Sequence, residues 1–250
     1  MEKDKKKKDK QDDEDGDKDG TMGFQQLANR VNMIYGGDSS FNRRNQKLVW
    51  REILKMEPAV QKPLKHSETP IIFSRKDQWT SFSEPGKFPL VLDPVVACSI
   101  LTRVLIDGGS GLNLIFMSTI SKMGLDISDK LKPSKAPFYG IVPGNASFPV
   151  GTVVLPVTFG TPDNYRTELI KFEVADFVSS YHAILGRPAL AKFMAVPHIV
   201  YLLLKMPEKT GVLTFREDLQ RSFKCAKEAI TYASTNQLLD TTGEVLATAQ

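Results

Sequence analysis

Short apolar runs, separated by glycine, proline and polar turn residues, recur along the chain from residue 87 to residue 217. This spacing predicts strands over 87–93, 99–106, 138–142, 148–159, 169–175, 183–185, 199–205 and 211–215. The run over 169–175 alternates polar with apolar residues, which is typical of a half-buried strand. Many short strands with few helices predict an all-β domain, either a closed barrel or a sandwich.

Helical patterns are short and few. Helices are predicted over 47–56, 118–122, 188–195 and 218–233, where apolar residues recur at helical spacing or helix-boundary residues stand at the ends. Gly124 is placed to end the second of them, and Pro188 suits the first turn of the third. One or two of these helices would therefore accompany the β domain.

Composition divides the chain into regions. Seven lysines and nine acidic residues crowd the first twenty positions, and such a segment cannot bury enough apolar area to fold. Pro85-Gly86 is a plausible boundary before the strand-rich region. We therefore predict a disordered charged tail at 1–20, a linker with a short helix at 21–86, the β domain at 87–217, and a C-terminal helix and tail at 218–250.

Charge and cysteine content exclude several classes of function. The net charge of +4 is mild, and the tail itself is negative, so nucleic-acid binding has the least support. The two cysteines and three histidines have no metal-ligand spacing, so neither metal nor cofactor is expected. The charged N-terminus does not resemble a secretory signal, and no apolar run reaches the length of a membrane span. We expect an intracellular, cytoplasmic protein that does not interact with a membrane.

The most distinctive stretch is Val104-Leu105-Ile106-Asp107-Gly108-Gly109-Ser110, followed at once by a second apolar run. It delivers one carboxylate into a two-glycine turn between two predicted strands. Glycine allows a tight turn whose N–H groups can hold a carboxylate that would otherwise be costly to bury. An ordinary Asp-Gly hairpin turn is the alternative. Ser110 has no base or nucleophile-elbow pattern beside it, which argues against a serine hydrolase.

The order of several motifs resembles that of retropepsin-like aspartic proteases, and in particular the protease region of plant gypsy-type LTR-retrotransposon (gag-pol) polyproteins. The matching segments are the Asp107 stretch, 123–125, 149–151, 155–160 and 184–190. Met33-Ile34-Tyr35-Gly36-Gly37 is similar to the segment that precedes the protease in those polyproteins. The resemblance covers about residues 30–235 and is specific through the order of the motifs.

The resemblance implies a retropepsin-like closed β-barrel that acts as a homodimer on a polypeptide substrate. Each copy would supply Asp107 as the catalytic residue, on an active-site loop formed with Gly108, Gly109 and Ser110. The strand-preceded Asp-Gly-Gly sequence occurs once in this chain, so two copies are needed to form a pair of aspartates. The resemblance requires no metal and no cofactor.

Two further segments acquire roles from the resemblance. A hairpin around Pro143-Gly144-Asn145 would be the flap that closes over substrate, with Ile141, Val142 and Gly144 at its inner face and tip; a plain surface hairpin is the alternative. Ile184, Leu185 and Gly186 would support the active-site loop from behind. Arg187 could pair with a polar group near the loop, although Gly111 offers it no side chain.

Gly108 departs from the wider family, in which Thr or Ser at this position forms a hydrogen bond across the dimer axis. Without that hydroxyl, worth about 1 kcal/mol per hydrogen bond, we expect a weaker dimer or a more mobile active-site floor. Two functions therefore remain open: an aspartic endopeptidase of retrotransposon origin, and a retropepsin-like domain without full activity that serves as a dimerisation or binding module.

Overall fold

The computed structural model describes Lys47, Arg51 and residues 68–81, 84–134, 148–209 and 211–232. The chain divides into two units, Met1–Val60 and Gln61–Gln250. In the first unit the two described residues, Lys47 and Arg51, are helical, and both lie within the helix predicted at 47–56. The predicted tail at 1–20 and most of the predicted flap lie outside the described residues.

The second unit consists mainly of strands. They are β1 (Val91–Leu92), β2 (Val95–Val96), β3 (Ser99–Ile100), β4 (Val104–Ile106), β5 (Leu114–Phe116), β6 (Gly151–Thr161), β7 (Asn164–Ala175), β8 (Ala183–Leu185), β9 (Val196–His198), β10 (Leu203–Glu208) and β11 (Gly211–Arg216). The helices in the described part are α1 (Met117–Lys122), α2 (Arg187–Phe193) and α3, described over 219–232. The all-β fold class with few short helices is confirmed.

Eight strands form one curled sheet in the order β1-β4-β8-β5-β7-β6-β2-β3, and β9, β10 and β11 form a second. Strand β8 comes late in the chain but lies between β4 and β5, parallel to β4 and antiparallel to β5. The inner face of the sheet packs on one large core that includes Phe172 and Phe193, both almost fully buried. Burial of each such side chain contributes about 1.5–3 kcal/mol.

The long β6–β7 hairpin shows why alternation predicted strands well. Val153, Leu155, Val157 and Phe159 on β6 point into the core, while the residues between them are more exposed. The predicted strand at 148–159 begins later, at Gly151, and the one at 169–175 begins earlier, at Asn164. The first residues of β7 are polar, so the apolar pattern did not predict them as strand. They are a strand because they pair with β6.

Three further predicted strands differ from the strands in the structure. Of the strand predicted at 87–93 only β1 forms, and the one predicted at 99–106 is two strands, β3 and β4. Ala97 and Cys98, with φ of 44° and 67°, make the tight turn between β2 and β3. Asparagine and glycine are the usual residues in such a turn, so the sequence did not indicate it. Cys98 is exposed in this turn. The apolar run starting at Ile199 first turns, and strand β10 begins only at Leu203.

Helix α3 forms where the sequence predicts a helix, and much of its apolar pattern faces away from the core. Phe223 and Ile230, both in the apolar pattern, are 57% and 69% exposed, whereas Ser222 and Cys225 are fully buried. The Ser222 hydroxyl donates to the Pro89 carbonyl at 2.7 Å, which fixes this smaller face against the β1 region. Ser222 and Cys225 therefore form the buried face of the helix.

The segment upstream of the sheet packs on the second sheet. Lys205, only 7% exposed on β10, donates to Asp77 at 2.6 Å and to the Ile72 carbonyl at 2.8 Å. The Trp79 indole N–H donates to the Tyr201 carbonyl at 2.6 Å. Part of the predicted linker at 21–86 is therefore bonded to the β9–β11 sheet. Among the described residues no helix is long and apolar enough to cross a membrane.

Candidate active site

Asp107 stands at the carboxyl end of β4, where the strand leaves the sheet. Its own N–H donates to the Leu185 carbonyl at 3.0 Å, continuing the parallel ladder between β4 and β8 by one residue. The preceding residue, Ile106, is 4% exposed and donates its N–H to the Leu90 carbonyl at 2.9 Å. The position of the acid is thus fixed by strands on both sides of β4.

Backbone N–H groups hold the Asp107 carboxylate. Its Oδ1 accepts from the N–H of Gly109 at 2.9 Å and from that of Ser110 at 3.3 Å. Hydrogen bonds of this kind fix the orientation of a carboxylate. The Asp107 side chain is half-buried and lines a cleft.

The two glycines after Asp107 have different surroundings. Neither has a positive φ, so the expectation that glycine is needed for its backbone angles is wrong here. A Cβ on Gly109 would lie 3.2 Å from Asp107 Oδ1, tight enough to press on the carboxylate. A Cβ on Gly108 would meet no atom within 4 Å, and Gly108 is exposed.

The segment after β8 lies directly against the loop. A Cβ on Gly186 would stand 2.2 Å from the Leu112 carbonyl oxygen and 2.7 Å from that of Ser110, so only glycine fits. The Arg187 N–H donates to the Ser110 carbonyl at 2.9 Å. Leu185 is 1% exposed in the core, and Ile184 packs on a second, smaller cluster on the opposite face. The structure thus brings residues 184–187 and 107–110 together.

The Arg187 side chain is exposed and extends past the loop. Its guanidinium Nη2 lies 3.4 Å from where a Cβ of Gly111 would be. Arg187 is therefore next to Gly111, as its sequence position suggested, and a side chain at residue 111 would contact it.

The flap residues Ile141, Val142 and Gly144 lie outside the described residues. The two chain ends that lead to them are close together, since Lys132 and Thr152 exchange backbone hydrogen bonds of 2.9 Å and 2.7 Å.

Two residues near the loop escaped the sequence analysis. Asn113 is 5% exposed, and its side-chain Oδ1 accepts from the Gly186 N–H at 3.0 Å. Tyr181 lines a cleft of about 470 Å³ together with Asp107, Leu105 and Ala226. Burial, with smaller contributions from Cys225, Glu217 and Asp107, raises the pKa of Tyr181 to about 12. Asn113 could have been noticed as a polar residue inside an apolar run; Tyr181 carried no signal.

Within the described part of the chain, no group of His, Cys, Asp or Glu side chains is arranged to hold a metal ion. The chemistry available at this site is that of a carboxylate oriented by backbone N–H groups beside an apolar cleft. Such a group can accept or donate a proton and can activate a water molecule.

No protein-family model and no curated protein sequence matches the chain. Solved structures do match part of it. The retroviral protease-like domain of Ddi1 from Leishmania major is 14% identical, with 52% of this chain and 95% of that one covered at a TM-score of 0.34. EIAV protease complexed with the inhibitor HBY-793 is 18% identical, with 48% and 99% covered at 0.34. A retropepsin-like aspartic protease from Rickettsia conorii is 19% identical, with 50% and 83% covered at 0.34. These three matches are a retroviral protease-like domain, a retroviral protease and a retropepsin-like aspartic protease.

Proposed function

We propose that the chain is an aspartic endopeptidase in which two copies each contribute one Asp107. The observation that carries this proposal is the Asp107 carboxylate itself. It stands at a strand end, is held by the N–H groups of Gly109 and Ser110, and lies on a loop braced by β8 and the residue after it. A plain hairpin turn would not need a strand from elsewhere in the chain inserted behind it.

The proposed chemistry follows from placing two carboxyl groups within hydrogen-bond reach. Both cannot ionise cheaply, so the pair shares one proton. The ionised Asp107 takes a proton from a bound water as the water oxygen attacks the peptide carbonyl carbon, and the protonated Asp107 of the other copy donates to the carbonyl oxygen. The resulting diol then collapses: a proton passes to the amide nitrogen, the C–N bond breaks, and a carboxylic acid and an amine leave.

The order of the sequence motifs supports a finer proposal about origin and substrate. We assign the domain to a gypsy-type retrotransposon polyprotein, whose peptide bonds it would hydrolyse. The predicted protease boundaries at 87 and 217, and the flap roles of Ile141, Val142 and Gly144, belong to the same proposal. Arg187, next to Gly111, is proposed to support the loop.

A second function is favoured by one observation at Gly108. The space around it is open and no hydroxyl stands there, so the loop lacks a side chain that could bond to the other copy. A domain with a loosely held pair of aspartates could have lost activity and act only by dimerising or by binding a peptide. The two functions predict different behaviour of the same protein.

The test is peptide cleavage by the full chain in mildly acidic buffer, with a peptide library as substrate. We expect cleavage by the wild type, none by Asp107→Asn, and normal cleavage by Asp163→Asn, which changes an exposed turn aspartate. Equal turnover by the wild type and Asp107→Asn would refute the enzyme. If both are inert yet sediment as tight dimers, the binding function is correct.

A further inference from the structure

Asn113 directly precedes β5, and its side chain is almost fully buried. Its side-chain Oδ1 accepts from the Gly186 N–H at 3.0 Å, and its Nδ2 donates to the Lys171 carbonyl at 2.9 Å. Its own carbonyl accepts from the Glu173 N–H at 2.9 Å. One amide side chain thus ties β7 to the residue that follows β8.

The last residue of β8 and the two residues after it each make a hydrogen bond to the 107–113 segment. The Leu185 carbonyl accepts from Asp107, the Gly186 N–H donates to Asn113, and the Arg187 N–H donates to Ser110. The first and third bonds hold the two ends of the active-site loop. The middle one decides how far Gly186 lies from that loop.

The distance matters because Gly186 is already in close backbone contact with the loop. The direction in which a Cβ would point is filled by the carbonyl oxygens of Leu112 and Ser110. A shift of Gly186 towards the loop is therefore blocked, and Asn113 prevents the shift away from it. Ser110, whose N–H reaches Asp107 Oδ1 at 3.3 Å, would move with it.

We infer that Asn113 is a positioning residue for Asp107, acting through Gly186 and Ser110. This inference rests on the function proposed above. A carboxylate that activates water must be held within about 0.5 Å of its productive position, so a loosened loop lowers the rate of the chemical step. It should affect substrate binding much less, because Asn113 does not face the cleft that contains Asp107.

An amide suits this position because it offers an acceptor and a donor on opposite sides of one planar group. Leucine has a similar size but offers neither. Aspartate keeps the acceptor for the Gly186 N–H, and in its protonated form it can also donate to the Lys171 carbonyl. Asn113→Asp is therefore the conservative variant and Asn113→Leu the disruptive one.

The experiment compares the full-length wild type with Asn113→Leu, Asn113→Asp and Val157→Ala. The last is a core change on β6, at a position that is fully buried and distant in the ladder from the loop. All are assayed in mildly acidic buffer, well below the lowest Tm. We expect Asn113→Leu to lose about tenfold or more in kcat with KM changed by less than about threefold. Asn113→Asp should recover most of the loss, and Val157→Ala should keep kcat whatever its Tm.

Amide hydrogen exchange provides a readout that does not depend on activity. The Gly109 and Ser110 N–H groups should exchange about tenfold faster in Asn113→Leu than in the wild type, and should be unchanged in Val157→Ala. If no variant cleaves peptide but this exchange difference is found, the proposed function fails and the positioning role stands. Unchanged exchange, or a kcat loss in Val157→Ala equal to that in Asn113→Leu, would overturn the inference. Should Asn113→Leu not fold, Asn113→Ala, which removes both hydrogen-bonding groups without adding apolar bulk, takes its place with the same expected direction.

Discussion

Glu217 lies between β11 and α3 and is 5% exposed, with neither carboxylate oxygen accepting a hydrogen bond from the described residues. The Ser222 hydroxyl beside it donates to the Pro89 carbonyl instead. Burial raises the pKa of Glu217 from 4.5 to about 7, and the charge of Asp218 adds to this, while the nearby polar groups of Ser222 and Val91, which do not meet hydrogen-bond geometry, lower it in part. The folded protein therefore favours the neutral acid.

The sign of the pH dependence follows from this raised pKa. Below about pH 4.5 the carboxyl is protonated in both the folded and unfolded chain, and Glu217 costs nothing. Between 4.5 and about 7 the unfolded chain ionises and the folded chain does not, so stability falls as pH rises. A shift of this size corresponds to at most about 3 kcal/mol. Solvent screening, and the cost of burying the replacement amide, reduce the expected gain of Glu217→Gln to about 1–2 kcal/mol.

The assay is thermal unfolding of the wild type and Glu217→Gln at pH 4.5 and 7.5. For a unit of this size 1 kcal/mol corresponds to about 2–4 °C, so we expect the variant to melt about 2–8 °C higher at pH 7.5 and no higher at pH 4.5. Glu84→Gln is the control, because Glu84 is exposed and paired only with Lys87 at 2.8 Å. The same Tm difference between Glu217→Gln and the wild type at both pH values would refute the reasoning.

Three further changes test the loop and the core. Gly186→Ala should lower the free energy of unfolding by about 3 kcal/mol or prevent folding, because backbone oxygens block the added methyl group on two sides. Gly108→Ala, in open space, should lower it by less than about 1 kcal/mol in the same urea titration. Similar losses for the two variants would contradict the packing argument. Gly108→Thr should tighten the proposed dimer about fivefold per added hydrogen bond, and an unchanged dissociation constant in analytical ultracentrifugation would count against the role of the missing hydroxyl. Arg166→Met should cost about 3 kcal/mol, since the buried guanidinium donates to the carbonyls of Lys192 and Phe193 at the end of α2 and of Pro207 on β10. Exposed Arg216→Met is its control, and equal Tm values for the two variants would show that these contacts are dispensable.

The sequence predicted the elements that depend on local pattern. Alternation identified most of β6 and part of β7, and Pro188 and Gly124 marked helix ends close to where α2 begins and α1 ends. It also singled out Asp107, because an acid directly after a buried strand is unusual. Residues 184–187 were singled out by their resemblance to a family motif, and the structure places them behind the loop.

What the sequence could not predict depends on contacts between distant segments. Strand β2 is only two residues long and exists because it pairs with β6. The sequence also gave no sign that Ser222 and Cys225 would be the buried residues of α3, because the Ser222 hydroxyl reaches a carbonyl 133 residues earlier in the chain. The role inferred for Asn113 depends on its hydrogen bond to Gly186, which comes 73 residues later in the sequence, after the β6–β7 hairpin.

The insertion of β8 between β4 and β5 has a consequence for when the site can form. During synthesis, β4 and β5 leave the ribosome long before β8, so the loop between them has neither the Leu185 carbonyl nor the Arg187 N–H to bind. Such non-local pairing is formed slowly, because a long loop must close before any contact stabilises it. A chain truncated before residue 183 would leave Asp107 on an unsupported turn, so nascent chains of that length should be inert. The order of the strands therefore ties the proposed activity to completion of the domain.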